Sequence, residues 1–353
     1  MPSSLLSEVP ATLLGLVQRP SVSGSERPAA EWLAEHATHL GANHAGLDEA
    51  GSLIAVWGSG PRQIVLLGHI DTVPGEINVR IEDGQLYGRG SVDAKGPLAA
   101  FVDAAAAVGD VPGWQVVVIG AVGEETDSIG ARSVVDRYQP DYAVIGEPSR
   151  WDRVTLGYKG CAAAAVRTHK TTGHSARAEE TACDAAVAVW TVLRERVNQF
   201  NADRKGAFDQ IQANLGGFTS HSDGFAETAE IHIRARLPLD VTPADWYQWI
   251  EACAGEAAVE RLGFAIPAYR ADKNSPLVRA FLGAVRAEGG QPGFVVKTGT
   301  ADLNIVAPAW GCPALAYGPG DSALDHTPDE HIDLHEYALG VNVLTGVLRS
   351  LMK

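Results

Sequence analysis

The run QIVLLGHID, residues 63 to 71, carries an apolar core straight into an imidazole and a carboxylate. An apolar stretch this short, bounded by polar residues, suits a strand buried on both faces rather than a helix. The pattern recurs. WQVVVIGAVG (114–123) leads into Glu124-Glu125, DYAVIG (141–146) into Glu147-Pro148, and PALAYG (313–318) through a Gly/Pro loop to Asp325-His326. Between the first two runs, residues 97–108 have helical spacing with Pro97 near the first turn. Alternating strands and helices predict an α/β architecture, a mixed sheet flanked by helices. Ligands of such sheets bind beyond the carboxyl ends of the strands, where these four runs place their acids and imidazoles.

Working outward, the N-terminal residues 5–17 and 31–39 read as covering helices, and the α/β pattern holds to about residue 152. From there the order changes to strand (153–167), helix (179–200), strand (208–215), strand (227–239), helix (243–262) and strand (264–269). This split β-α-β order closes as a small ferredoxin-like sheet with two helices on one face. The α/β pattern then resumes with a helix over 276–288, strands over 294–297 and 314–317, and a last helix over 335–351. The expectation is therefore a discontinuous α/β domain, 1–155 with 271–353, interrupted by an inserted domain, 156–270.

Composition narrows the function. The 353 residues include 28 basic and 43 acidic side chains, a net charge of −15. A field of that sign argues against nucleic-acid or anionic-membrane partners. No stretch reaches the ~18 apolar residues of a membrane span, and the first residues lack a signal-peptide pattern, so a cytoplasmic protein is expected. Cys161, Cys183, Cys253 and Cys312 are scattered without C-x-x-C spacing and read as buried free thiols.

The strand-end residues suggest metal chemistry. His69 and Asp71, two apart in extended chain, point the same way, so the carboxylate can hold the far imidazole nitrogen and fix its tautomer. Glu124 and Glu125 are adjacent and point apart, which lets one ligate a metal while the other accepts a proton. A glycine-rich turn, Gly88-Arg89-Gly90-Ser91-Val92, brings Asp93 to the start of a helix. Two imidazoles with several carboxylates and no thiolate suit a pair of zinc ions or similar borderline metals.

The combination GHIDTVPG (68–75), GRGSVDAKGPLAA (88–100), GEE (123–125), GEPS (146–149) and DHTPDEH (325–331) resembles the M20 family of co-catalytic zinc peptidases and deacylases. The resemblance spans essentially the whole chain. It implies two zinc ions per subunit, with cobalt able to substitute. Asp93 would bridge them, with His69 and Glu147 on one ion and Glu125 and His326 on the other. Glu124 would be the general base and Asp71 the partner of His69. The inserted domain would be a lid that also forms a homodimer, and His174 would reach the partner's active site to polarise the scissile carbonyl. Arg236 would bind a substrate carboxylate, for which a bidentate guanidinium is suited; Arg234, where many relatives have Asp, has no assigned role. Lys297, Thr298, Asn304 and Gly318 would line the substrate pocket.

A narrower resemblance, through residues 156–160, 174–176, 297–304 and 316–322, is to hydrolases that release lysine or ornithine from an amino-group carrier protein. There the amino acid is amide-linked to the side chain of the carrier's C-terminal glutamate. The alternatives are a small-molecule deacylase acting on acetylornithine or succinyl-diaminopimelate, a dipeptidase, or a metal-stabilised protein that binds the carrier without cleaving it.

Overall fold

A computed structural model describes residues 9–172 and 179–353. The chain divides into two compact units: one runs to Gly157 and resumes over Ala271–Val296 and Ala301–Lys353, the other comprises Tyr158–Arg270 and Lys297–Thr300.

The first unit is built on a sheet with the hydrogen-bonded order His44–Leu47, Leu53–Gly58, Trp114–Ala121, Arg62–His69, Tyr142–Gly146, Ala314–Ala316 and Arg153–Tyr158. Its centre is parallel: Arg62–His69 lies between Trp114–Ala121 and Tyr142–Gly146, with all three strands running the same way. Ile64, Val65, Leu66 and Leu67 are fully buried, as the unbroken apolar run requires. The register then does the work of assembly. His69 pairs with Ala121 and Gly68 with Gly146, so the chain leaves all three strands at one edge and delivers His69, Glu124-Glu125 and Glu147 there.

Helix Lys95–Val108 packs on this sheet, and Leu334–Leu351 packs against that helix in turn. Two facing glycines allow the close approach. A methyl group on Gly146 would sit 3.0 Å from the Gly68 Cα and 3.0 Å from the Phe101 ring. Gly146→Ala is therefore expected to destabilise the protein by about 1–3 kcal/mol, the usual cost of overpacking, measured by urea unfolding.

The second unit pairs its strands in the order Gln212–Ser222, Ala226–Leu237, Gly160–Thr171, Ala258–Ile266, all antiparallel. Helices Ala182–Asn201 and Pro243–Ala254 bury Leu193, Trp246 and Ile250 against Val166, Ile231 and Ile233 of the sheet. Both helices start with a reciprocal cap, Thr181 with Asp184 and Thr242 with Asp245, a feature worth ~1 kcal/mol each. This is the ferredoxin-like order expected from the sequence.

Several expected boundaries move. The helix expected over 243–262 stops at Ala254, because Gly255 turns the chain at φ 61° and Ala258–Ile266 pairs with Gly160–Thr171 as a strand. The β-like run 153–167 is two strands in two sheets, broken at Lys159, where Gly160 lies too close to the Ile266 carbonyl for any side chain. Leu303–Trp310 is a helix that the sequence hid, since Pro308 lies inside it. The four cysteines carry free thiols, half-buried rather than buried. No helix among the described residues is long and apolar enough to cross a membrane.

Candidate metal centre

The centre is organised around Asp93, which follows the turn Gly88–Val92 at the carboxyl edge of the first unit's sheet. Its Oδ1 lies 3.1 Å from His69 Nε2 and its Oδ2 lies 3.1 Å from His326 Nε2. Each carboxylate oxygen thus faces one imidazole. His326 Nε2 is also 2.9 Å from Glu125 Oε1. Ligand atoms of His69, Asp93 and Glu125 all fall within 4.8 Å of one another. Glu147 is buried at the same edge, and its charge is felt by Glu124.

His69 is oriented from behind. Its Nδ1 sits 3.0 Å from the main-chain carbonyl of Asp71 and 3.5 Å from Asp71 Oδ1, leaving Nε2 directed at Asp93. The buried Asp71 carboxylate has a second task that the sequence did not suggest. It accepts hydrogen bonds from the amides of Glu124 and Glu125, both at 3.1 Å, and from Ser23 Oγ at 2.7 Å. One side chain thereby fixes the turn that presents both glutamates. Burial alone would raise the Asp71 pKa, but His69 and these donors hold it below the ordinary carboxylate range.

The electrostatics describe a site that demands positive charge. Burial disfavours charged His69, yet hydrogen bonds to Asp71 and Asp93 hold it well above the usual imidazole range. His326 is drawn up to about 9, chiefly by its hydrogen bond to Asp93. Desolvation pushes Glu124 well above the usual carboxylate range, and the charges of Glu147, Asp302 and Glu125 add to it, with His69 opposing. Asp302, absent from the residues singled out in the sequence, is buried and pushed by burial up to about 7.

This donor set fits divalent ions. Two ligand atoms on one tetrahedral zinc, each ~2.0–2.1 Å from it, lie ~3.3 Å apart, close to the separations observed here. The oxygen and nitrogen donors and the concentration of carboxylates suit a divalent metal.

The other expected site residues are placed as follows. Asn304 is buried and accepts from the Ala301 amide at 3.1 Å, closing the turn before its helix. Gly318 sits where a methyl group would come within 2.6 Å of Pro97 and 3.0 Å of the Glu147 carbonyl, so it packs the loop that carries Glu147. Arg236, Lys297 and Thr298 belong to the second unit, where Arg236 Nη1 donates to Thr300 Oγ1 at 2.7 Å. His174 lies outside the described residues.

Residues 65–350 match Peptidase family M20/M25/M40. A LysW-lysine hydrolase of Deinococcus radiodurans is 44% identical over 344 residues, covering 95% of this chain and 95% of its own. A LysW-lysine/LysW-ornithine hydrolase of Saccharolobus islandicus is 30% identical, covering 80% of this chain and 79% of its own. Among solved structures, the fold is shared with the aminopeptidase PepT of Bacillus cereus, TM-score 0.80 at 20% identity and 97% coverage of both chains. It is shared also with an M20 family metallo-carboxypeptidase of Sulfolobus solfataricus, TM-score 0.76 at 17% identity over 100% of both. With the family matched over most of its length and a relative at 44% identity, this chain belongs to peptidase family M20/M25/M40.

Proposed function

We propose that the protein is a metal-dependent amide hydrolase that releases L-lysine, or L-ornithine, from the C-terminal glutamate side chain of an amino-group carrier protein. The observation that carries the hydrolytic reading is Asp93 with one imidazole 3.1 Å from each of its oxygens. The names of the relatives carry the substrate reading.

In this reading Asp93, His69, Glu147, Glu125 and His326 are the residues that would hold two divalent ions, His69 and Glu147 to one side of Asp93 and Glu125 and His326 to the other. When bound, such ions act as Lewis acids and lower the pKa of water from 15.7 towards ~7. Glu124 takes the proton from the attacking water and hands it to the departing amine. One carboxylate serves both halves of that exchange, as acceptor first and donor afterwards. Asp71 keeps Glu124 in place through the backbone amide. The roles of Arg236, Lys297, Thr298, Asn304 and Gly318 in substrate binding, and of His174 in polarising the carbonyl, rest on the resemblance of their motifs.

The second unit is proposed to join two copies into a homodimer. Its sheet ends at Gln212–Ser222, and no other strand among the described residues pairs with that outer edge. The strand carries exposed Leu215 and Phe218. Long exposed edges with apolar side chains are templates for pairing with another chain.

The test is to incubate the purified protein with carrier-linked lysine, acetylornithine and succinyl-diaminopimelate in parallel and follow free amine. Release from the carrier-linked substrate at a kcat/KM at least ~100-fold above the others is expected, a difference of ~2.7 kcal/mol in transition-state binding. Activity confined to the small acylated compounds would overturn the carrier assignment and favour a deacylase. Binding of the carrier without any release would favour a non-catalytic carrier-binding protein.

A further inference from the structure

We propose that Glu330 is a positioning residue that holds the two halves of the metal centre, Asp93 and His326, at their working separation. The inference rests on the metal-centre reading and assigns a residue that neither ligates nor reaches the substrate.

Glu330 is fully buried, four residues beyond His326. Its Oε1 accepts hydrogen bonds from the amides of Val92, at 2.9 Å, and of Asp93 itself, at 3.1 Å. Its Oε2 pairs with Arg89 Nη1 at 2.8 Å. Arg89 spreads the tie further, donating from Nη1 to the Thr327 carbonyl at 3.2 Å and from Nε to the Gly75 carbonyl at 2.9 Å. The main chain closes the frame: Gly88 N donates to the Glu330 carbonyl, and His331–Asp333 pairs with Gln85–Tyr87.

The loop that carries Asp93 and the loop that carries His326 are 237 residues apart in sequence at the Asp93–Glu330 contact. They are nevertheless one hydrogen-bonded body with Glu330 at its hub. A carboxylate whose two oxygens each face a different imidazole is sensitive to rotation of its backbone. Two amides held by a single buried acceptor fix that backbone. The charge is needed as well as the shape, because a carboxylate receiving two amides and a guanidinium makes stronger bonds than an amide oxygen would.

The experiment compares wild type with Glu330→Gln, Glu330→Ala and Arg89→Ala, each checked by circular dichroism. Zinc affinity is read by competition with a chromophoric chelator, and amide hydrolysis is then titrated with zinc. Outer partners of metal ligands typically contribute 10–100-fold in affinity. The expected result is a 10–100-fold weaker second equivalent of zinc in Glu330→Ala, a smaller loss in Glu330→Gln, and kcat recovered at high zinc. A role in folding alone would lower stability and leave the zinc affinity of the folded protein unchanged. If Glu330→Ala fails to fold, Glu330→Gln and Arg89→Ala decide. Wild-type zinc affinity in both would overturn the assignment while leaving the metal centre intact. Failure of the wild-type protein to bind two equivalents would instead overturn the metal-centre reading, and this role with it.

Discussion

Glu124→Gln is expected to retain both equivalents of metal and to lose hydrolysis by about 10²–10⁴-fold, the usual span of a general acid–base contribution. The substitution keeps the size of the side chain and removes only its capacity to take a proton. The amide of residue 124 is main chain, so its bond to Asp71 survives and the turn keeps its shape. The neighbouring Glu125, whose Oε1 meets His326 at 2.9 Å, is untouched. Metal analysis and single-turnover kinetics on the same preparation check the expectation. Loss of metal in place of turnover would mean that the two glutamates exchange roles.

Asp93→Ala is expected to have the larger effect. Removing this carboxylate deletes the group that faces both His69 and His326, so one substitution should empty both sites and take hydrolysis below detection. The competing expectation is distinct: were Asp93 a ligand to one ion only, the variant would keep about one equivalent. Burial opposes the charge on Asp93, and its hydrogen bonds to His326 and His69 overcome this and hold its pKa below the ordinary range. Its removal takes away the carboxylate that faces both His69 and His326, and excess zinc should not restore activity. Elemental analysis after dialysis distinguishes zero, one and two equivalents.

What could be read in the sequence follows from what is local. Residues 63–71 and 141–146 announce themselves because a buried parallel strand needs an unbroken apolar run, and the strand-end positions of His69 and Glu147 follow from those two runs. The ferredoxin-like insertion is legible for the same reason, through alternating patterns in segment order. Residues 255–262 misled because AVERL has acceptable helical spacing, whereas the outcome turns on Gly255 and on a partner strand nearly a hundred residues earlier. Glu330 and Asp302 lay inside quoted motifs and still gave no signal. Their surroundings are assembled from distant parts of the chain, the amides of 92 and 93 in one case and the charges of His69 and Asp71 in the other. Asp71 was legible as a companion of His69 but not as an anchor for residues 124 and 125, since amide donors leave no trace in residue type.

The membership of Lys297–Thr300 bears on how the insertion could be transplanted among relatives. Moving 158–270 as a cassette would leave this four-residue strip behind in the donor chain, and Arg236 would arrive without the Thr300 hydroxyl it donates to. A chimera intended to exchange substrate preference therefore has to carry both pieces of chain, and its junctions number four rather than two.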